Sequence, residues 1–232
     1  MIASDVLSAA ATWRPQLFGD KRAATILDPI IEPLWTGPRI LALVDGDTVR
    51  LTDSDGELID NQPEVVEALR VAADGVTVLL EACLTAEPIQ AADEIAGRES
   101  VTMPQPGEAM TQMILGSRGD RKDRLARQQD EARRRTVEGA PDRVALVAVD
   151  LIWLDDESIC DVPLLERRRL LESVLEESHL VRVGVFVKPP VDGWLGGWRA
   201  VGFSRLAYKA ANSRYVPGAK NRDWAVADIP RR

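Results

Sequence analysis

Residues 149–175 read VDLIWLDDESICDVPLLERRRLLESVL, and the reading of this stretch decides the fold. Extended back to Val144, the run VALVAVDLIWL is apolar except for Asp150, which predicts a strand buried on both faces. It is far too short to cross a bilayer. Asp155-Asp156-Glu157 then forms an acidic turn with too few ligands for Ca²⁺ or Mg²⁺. Asp161 is placed to cap a helix whose first turn holds Pro163. Leu164, Leu171, Val174 and Leu175 give that helix an apolar stripe, with Arg167, Arg168 and Arg169 around its other face. A buried strand feeding an amphipathic helix predicts a mixed α/β or α+β domain.

The flanks fit that reading. Residues 1–25 form a helix or arm, followed by a proline-punctuated stretch from Asp28-Pro29 to Pro38. Arg39–Val44 and Thr48–Leu51 surround Asp45-Gly46-Asp47, a hairpin signal, and Asp55-Gly56 marks the next turn. Pro63 opens a helix with Val65, Val66, Leu69 and Ala72 on one face, and Val76–Leu84 reads as a buried strand. Beyond the deciding stretch come a strand at Leu180–Val187, a Gly/Trp loop DGWLGGW and a β-rich end. Residues 86–142 read as a charged helical insertion. Their run Arg118–Arg135 mixes eight bases with four acids and no aromatics, which favours a solvated helix over one laid on a nucleic-acid backbone.

Composition narrows the function classes. The 232 residues are 45% hydrophobic and 28% charged, with two cysteines, Cys83 and Cys160, and one histidine. No disulfide framework and no ordinary zinc site can be built from these, so the sequence predicts a reducing, cytoplasmic setting without signal peptide, membrane span or metal. Cys83 reads as core, His179 as a residue near a helix C-terminus, and Trp194 and Trp198 as packing aromatics. Gly116-Ser117-Arg118-Gly119 lacks the Gly-Lys-Ser/Thr ending of a phosphate loop. The net charge of −8 argues against bulk binding of polyanions, yet the charge is unevenly spread. Residues 1–110 hold 7 basic and 19 acidic side chains, whereas 198–232 hold 8 basic and 2 acidic.

Four pieces in order resemble the adenylation domain of ATP-dependent DNA ligases. The stretch 149–175 is similar to the ligase pattern of a strand, a turn, Pro-Leu, Glu-Arg-Arg and a leucine-rich helix. Tyr215-Val216-Pro217-Gly218 with Asn221-Arg222-Asp223-Trp224 resembles the Tyr-x-Pro-Gly…Trp segment before the last ligase strand. Glu32-Pro33-Leu34-Trp35-Thr36-Gly37-Pro38-Arg39 resembles the nucleophile motif Lys-x-Asp-Gly-x-Arg, and Pro63-Glu64-Val65-Val66 a Pro-Glu helix. The resemblance implies an α+β fold of packed antiparallel and mixed sheets flanked by helices over residues 26–232, without the oligonucleotide-binding domain of ligases.

It also implies what has been lost. Ligases attack ATP with a lysine, a bond that no other side chain forms equally well; Leu34 stands there, and Thr36 replaces the motif's aspartate. The family's Arg before the Asn-Gly turn aligns with Ser54. Glu81-Ala82-Cys83 keeps one carboxylate of the second motif. Ser204 replaces the metal-associated carboxylate of the fourth while Lys209 stays, and Trp224-Ala225-Val226-Ala227-Asp228 lacks both phosphate-contacting lysines of the fifth, one position having become an acid. The remnant pocket is thus Arg39, Glu81 and Lys209, with Arg205, Lys220 and Arg222 as candidate phosphate or nucleic-acid contacts. The first reading is an inactive ligase-like protein, without cofactor, that serves as a binding or structural component in DNA repair or joining, with DNA ends or a repair protein as partner. The alternative is a divergent ligase or nucleotidyltransferase using ATP and Mg²⁺, with Lys209 as relocated nucleophile or with activity supplied by a partner.

Overall fold

The computed structural model describes residues 3–85, 144–200 and 202–230. The expected insertion at 86–142, with Arg118–Arg135 and Gly116–Gly119, lies outside the described residues. In chain order the elements are α1 (Ala3–Thr12), β1 (Leu17–Phe18), β2 (Pro29–Pro33), β3 (Arg39–Asp45), β4 (Thr48–Thr52), α2 (Pro63–Ala72) and β5 (Val78–Thr85). They continue as β6 (Ala145–Leu154), β7 (Glu157–Ser158), α3 (Leu164–Val174), β8 (Val181–Val183), α4 (Asp192–Ala200), β9 (Arg205–Ala210), β10 (Lys220–Asn221) and β11 (Trp224–Asp228).

β6 is the spine of a six-stranded sheet ordered β4-β3-β5-β6-β7, with β8 running parallel to β6. Nine of its ten residues are buried, the result of having strands on both sides and packed layers on both faces. The β3–β4 hairpin closes on Gly46-Asp47, with Asp45 opposite Thr48 and a positive φ at Gly46. One face of the sheet packs Ile40, Ala42, Leu80, Ala82 and Ala148 under Val65 and Leu69 of α2 and Leu171 of α3. On the other face, Leu41, Leu43, Leu79 and Ile152 meet Val6, Ala9 and Ala10 of α1, Ile30 of β2 and Trp224 of β11.

β2 and β11 belong to a three-stranded antiparallel sheet ordered β11-β9-β2. Adjacent residues of a strand point to opposite faces. Ile30 therefore joins the core between the sheets, while Ile31 joins Trp198, Phe203, Leu206 and Ile229 beneath α4. The result is the α+β arrangement of packed sheets flanked by helices that the sequence predicts.

Four expectations need correction. DGWLGGW is not a loop but most of α4, anchored by Leu195 and Trp198; its glycines hide the apolar periodicity. Arg167 and Arg168 are fully buried rather than solvated, because each has acceptors inside the fold. Asp161 does not cap α3, whose N-terminal boundary residue is Pro163; its carboxylate instead meets Arg214 at 3.1 Å. The strand expected at Leu180–Val187 is confined to Val181–Val183, and Val187 then turns to bridge Ile31 of β2.

Candidate functional site

The two sheets bring together charged side chains from five strands and one helix. On β9, Lys209 lies opposite Ile30 of β2 and Trp224 of β11, and Glu32 sits two residues along β2 on the same face. The Lys209 ammonium pairs with the Glu32 carboxylate and lies 4.2 Å from the centre of the Trp224 ring. Lys209 is only 2% exposed and Glu32 3%. A charge so deeply buried is tolerated because it is paired, and removing either partner would strand the other.

A second pair comes from the large sheet. Arg39, at the start of β3, donates from Nε to Glu81 Oε1 at 3.0 Å, and its Nη2 reaches both Glu81 and the Gln16 carbonyl. Its guanidinium lies 5.1 Å from the Phe18 ring centre. Burial alone would lower the Arg39 pKa. The charge and hydrogen bond of Glu81 outweigh that and hold it above its usual value, with Tyr215 and Glu32 adding to the effect. The Phe18 ring under Arg39 packs 5.7 Å from the Trp224 ring under Lys209, so aromatic contacts link the two ion pairs.

Glu81 lies directly opposite Asp150 in the β5–β6 register, beside two interruptions of that register. Like charges across a strand pair repel. Each acid has its own arginine: Asp150 accepts 2.8 Å and 2.7 Å bonds from Arg167 Nε and Nη2, both side chains being fully buried. Arg167 also donates to the carbonyls of Val162 and Ser213. The Tyr215 hydroxyl accepts from the Gln16 amide at 2.9 Å, and burial, then the neighbouring Glu81 charge, push its pKa well up.

Leu34, where the resemblance places the nucleophile, is partly exposed, and its amide donates to the Arg205 carbonyl. Gly37 has φ +115°, and a Cβ there would come within 1.9 Å of the Leu84 carbonyl oxygen. Cys83 is core, and burial raises its thiol pKa to about 11. His179 is exposed, beyond the end of α3. Asp155 accepts from the Thr77 amide and so has a structural partner. Among the described residues, no group of three His, Cys, Asp or Glu side chains is placed to hold a metal ion.

The structure thus brings Arg39, Glu81 and Lys209 into one network but separates the expected phosphate contacts. Arg205 sits at the far end of β9, 3.9 Å from Asp228. Lys220 and Arg222 lie past the other end of that strand, which spans about 17 Å at the usual rise. Sequence reasoning missed Glu32 as the partner of Lys209, and missed the Asp150–Arg167 pair. The available signal was a lone acid inside an apolar strand, in PIIEP and in VALVAVDLIWL, since such a carboxylate demands a buried cation.

The chain is similar to the ligase domain of Mycobacterium tuberculosis LigD, with TM-score 0.60 and 20% identity over 92% of this chain and 58% of that one. It is equally close to a mycobacterial DNA ligase D complexed with ATP and MES, again with TM-score 0.60 and 20% identity. Lig E DNA ligases share the fold at TM-score 0.50 and 11% identity, over 94% of this chain and 68% of that one. In sequence the chain is 26% identical over 192 residues to DNA ligase C1 of Mycolicibacterium smegmatis, covering 82% of this chain and 48% of that protein. It therefore spans about half the length of the curated relative it matches. No family model matches. By fold the chain is similar to the adenylation domains of ATP-dependent DNA ligases, and in sequence it resembles DNA ligase C1.

Proposed function

We propose that this protein does not adenylylate itself and serves as a binding or structural component in DNA joining. The observation that carries the reading is the state of Lys209. The alternative of a relocated nucleophile needs an accessible amine, whereas Lys209 is 2% exposed, paired with Glu32 and covered by Trp224. Leu34 and Val226 offer a phosphate nothing but apolar surface, and Asp228 would repel it.

The residues present do not suit a nucleoside triphosphate. The two cations on this side, half-buried Arg39 and buried Lys209, are already neutralised by Glu81 and Glu32. Phosphoryl transfer relies on uncommitted cations and metal aimed at the reacting phosphate.

The test is incubation of the full chain with α-labelled ATP and Mg²⁺ or Mn²⁺, followed by intact mass and an acid-lability check. A genuine ligase is the positive control. We expect no adduct from the natural chain, and none from Leu34→Lys, because the supporting cations would still be missing. A covalent AMP on the natural chain would overturn the reading, and its attachment at Lys209 would establish the alternative.

A further inference from the structure

The loop that joins β9 to β11 carries a groove that the buried network does not use. It has a volume of about 500 Å³ and is lined by Asn212, Arg214, Val216, Lys220, Arg222 and Asp223. Its shape is fixed from beneath. The Asn221 side chain, 8% exposed, donates to the Arg214 carbonyl and accepts from the Asp223 amide, both at 2.9 Å. Ser213 Oγ accepts from the buried Trp224 indole, also at 2.9 Å. Three cations thus stand on a rigid floor, which limits what binding must order.

None of the three is held by a buried partner. Lys220 pairs with Asp20, and Arg214 with Asp161, but those acids are 83% and 86% exposed. Such surface pairs contribute about 0–1 kcal/mol, so a phosphate can displace them. Arg222 is exposed and has no ion pair among the described residues. Among the described residues, the turns of the large sheet would turn a polyanion away, since Asp45, Asp47, Asp74, Asp155 and Asp156 lie on or beside them.

We propose that this groove seats the sugar–phosphate backbone of duplex DNA, with Arg214, Lys220 and Arg222 as the phosphate contacts. The proposal rests on the reading of the protein as a DNA-associated component. The groove has no aromatic lining on which unpaired bases could stack, and this selects a duplex backbone over a single strand. Arg214, which sequence reasoning did not single out, replaces Arg205, which belongs to the other end of β9.

The experiment is fluorescence anisotropy with a short labelled nicked duplex and the matching single strand, titrated over a range of salt. The natural chain is compared with Arg214→Gln/Lys220→Gln/Arg222→Gln and with Arg205→Gln, all exposed positions, and each fold is checked by thermal melting. The natural chain should prefer the duplex. The triple variant should bind roughly tenfold more weakly or worse, and its log K against log salt slope should fall by about 0.9 for each phosphate no longer neutralised. Arg205→Gln should bind as the natural chain does. If the natural chain binds duplex and the triple variant binds equally well, the groove is wrong while DNA association stands. Tighter binding of the single strand also overturns the groove. No binding at low salt removes both the groove and the DNA association.

Discussion

At the scale of single residues, the ligase-like positions that persist each have a partner inside the fold. Gly37 is held by the approach of Leu84, Arg39 by Glu81, Lys209 by Glu32 and Trp224, and Tyr215 by Gln16. Of the departing positions, Leu34, Val226 and Asp228 are at least partly exposed, and Ala82 and Cys83 are buried but uncharged. Selection for stability alone explains this pattern, since a buried charge cannot lose its counterpart cheaply. Asp150→Ala should therefore destabilise the chain by about 3–5 kcal/mol, as it leaves Arg167 buried and unpaired. Urea unfolding checks this. A change under about 1 kcal/mol would mean that the two side chains do not form a buried pair.

At the scale of elements, legibility followed the strength of the local pattern. β6, α2 and the β3–β4 hairpin were readable because apolar period and turn chemistry agree there. α4 was not readable, since three of its nine residues are glycine. A Cβ added at Gly193, Gly196 or Gly197 meets nothing within 4 Å, and none has a positive φ. No neighbour within the described chain requires glycine at these sites. Gly196→Ala and Gly197→Ala should each raise stability by about 0.4–1 kcal/mol, by lowering the entropy of the unfolded chain and improving helix propensity. Denaturation midpoints report this directly, and a loss of stability in either variant would contradict the open face of α4. The error over Arg167 and Arg168 has a different origin. A run of three arginines looks solvated unless their acceptors are known, and those acceptors lie on β6 and at Gly184.

At the scale of the whole molecule, the relation between the sheets was legible only through the resemblance. Pairing between distant strands such as β2 and β9 leaves no periodic trace in sequence. The core also sets the response to alkali. The Cys83 thiol has a pKa of about 11 in the fold against 9.0 when free, so the unfolded chain ionises first as pH rises. Stability is full below pH 9 and falls between about 9 and 11, by roughly 2–3 kcal/mol from this group. The raised Tyr215 phenol acts in the same direction above pH 10. Urea midpoints measured across pH 8–11 should decline, and Cys83→Ala should flatten the early part of the fall. An unchanged profile in that variant would exclude the thiol as the cause.

The facing acids Glu81 and Asp150 have a historical consequence. Each is tolerable only while its own arginine remains, and the two acids share a single rung of the central sheet. No lineage could discard these four residues one at a time without cost, because every first step leaves a charge without its counterpart. The quartet becomes entrenched whatever becomes of the chemistry beside it, and its members should be exchanged together or not at all.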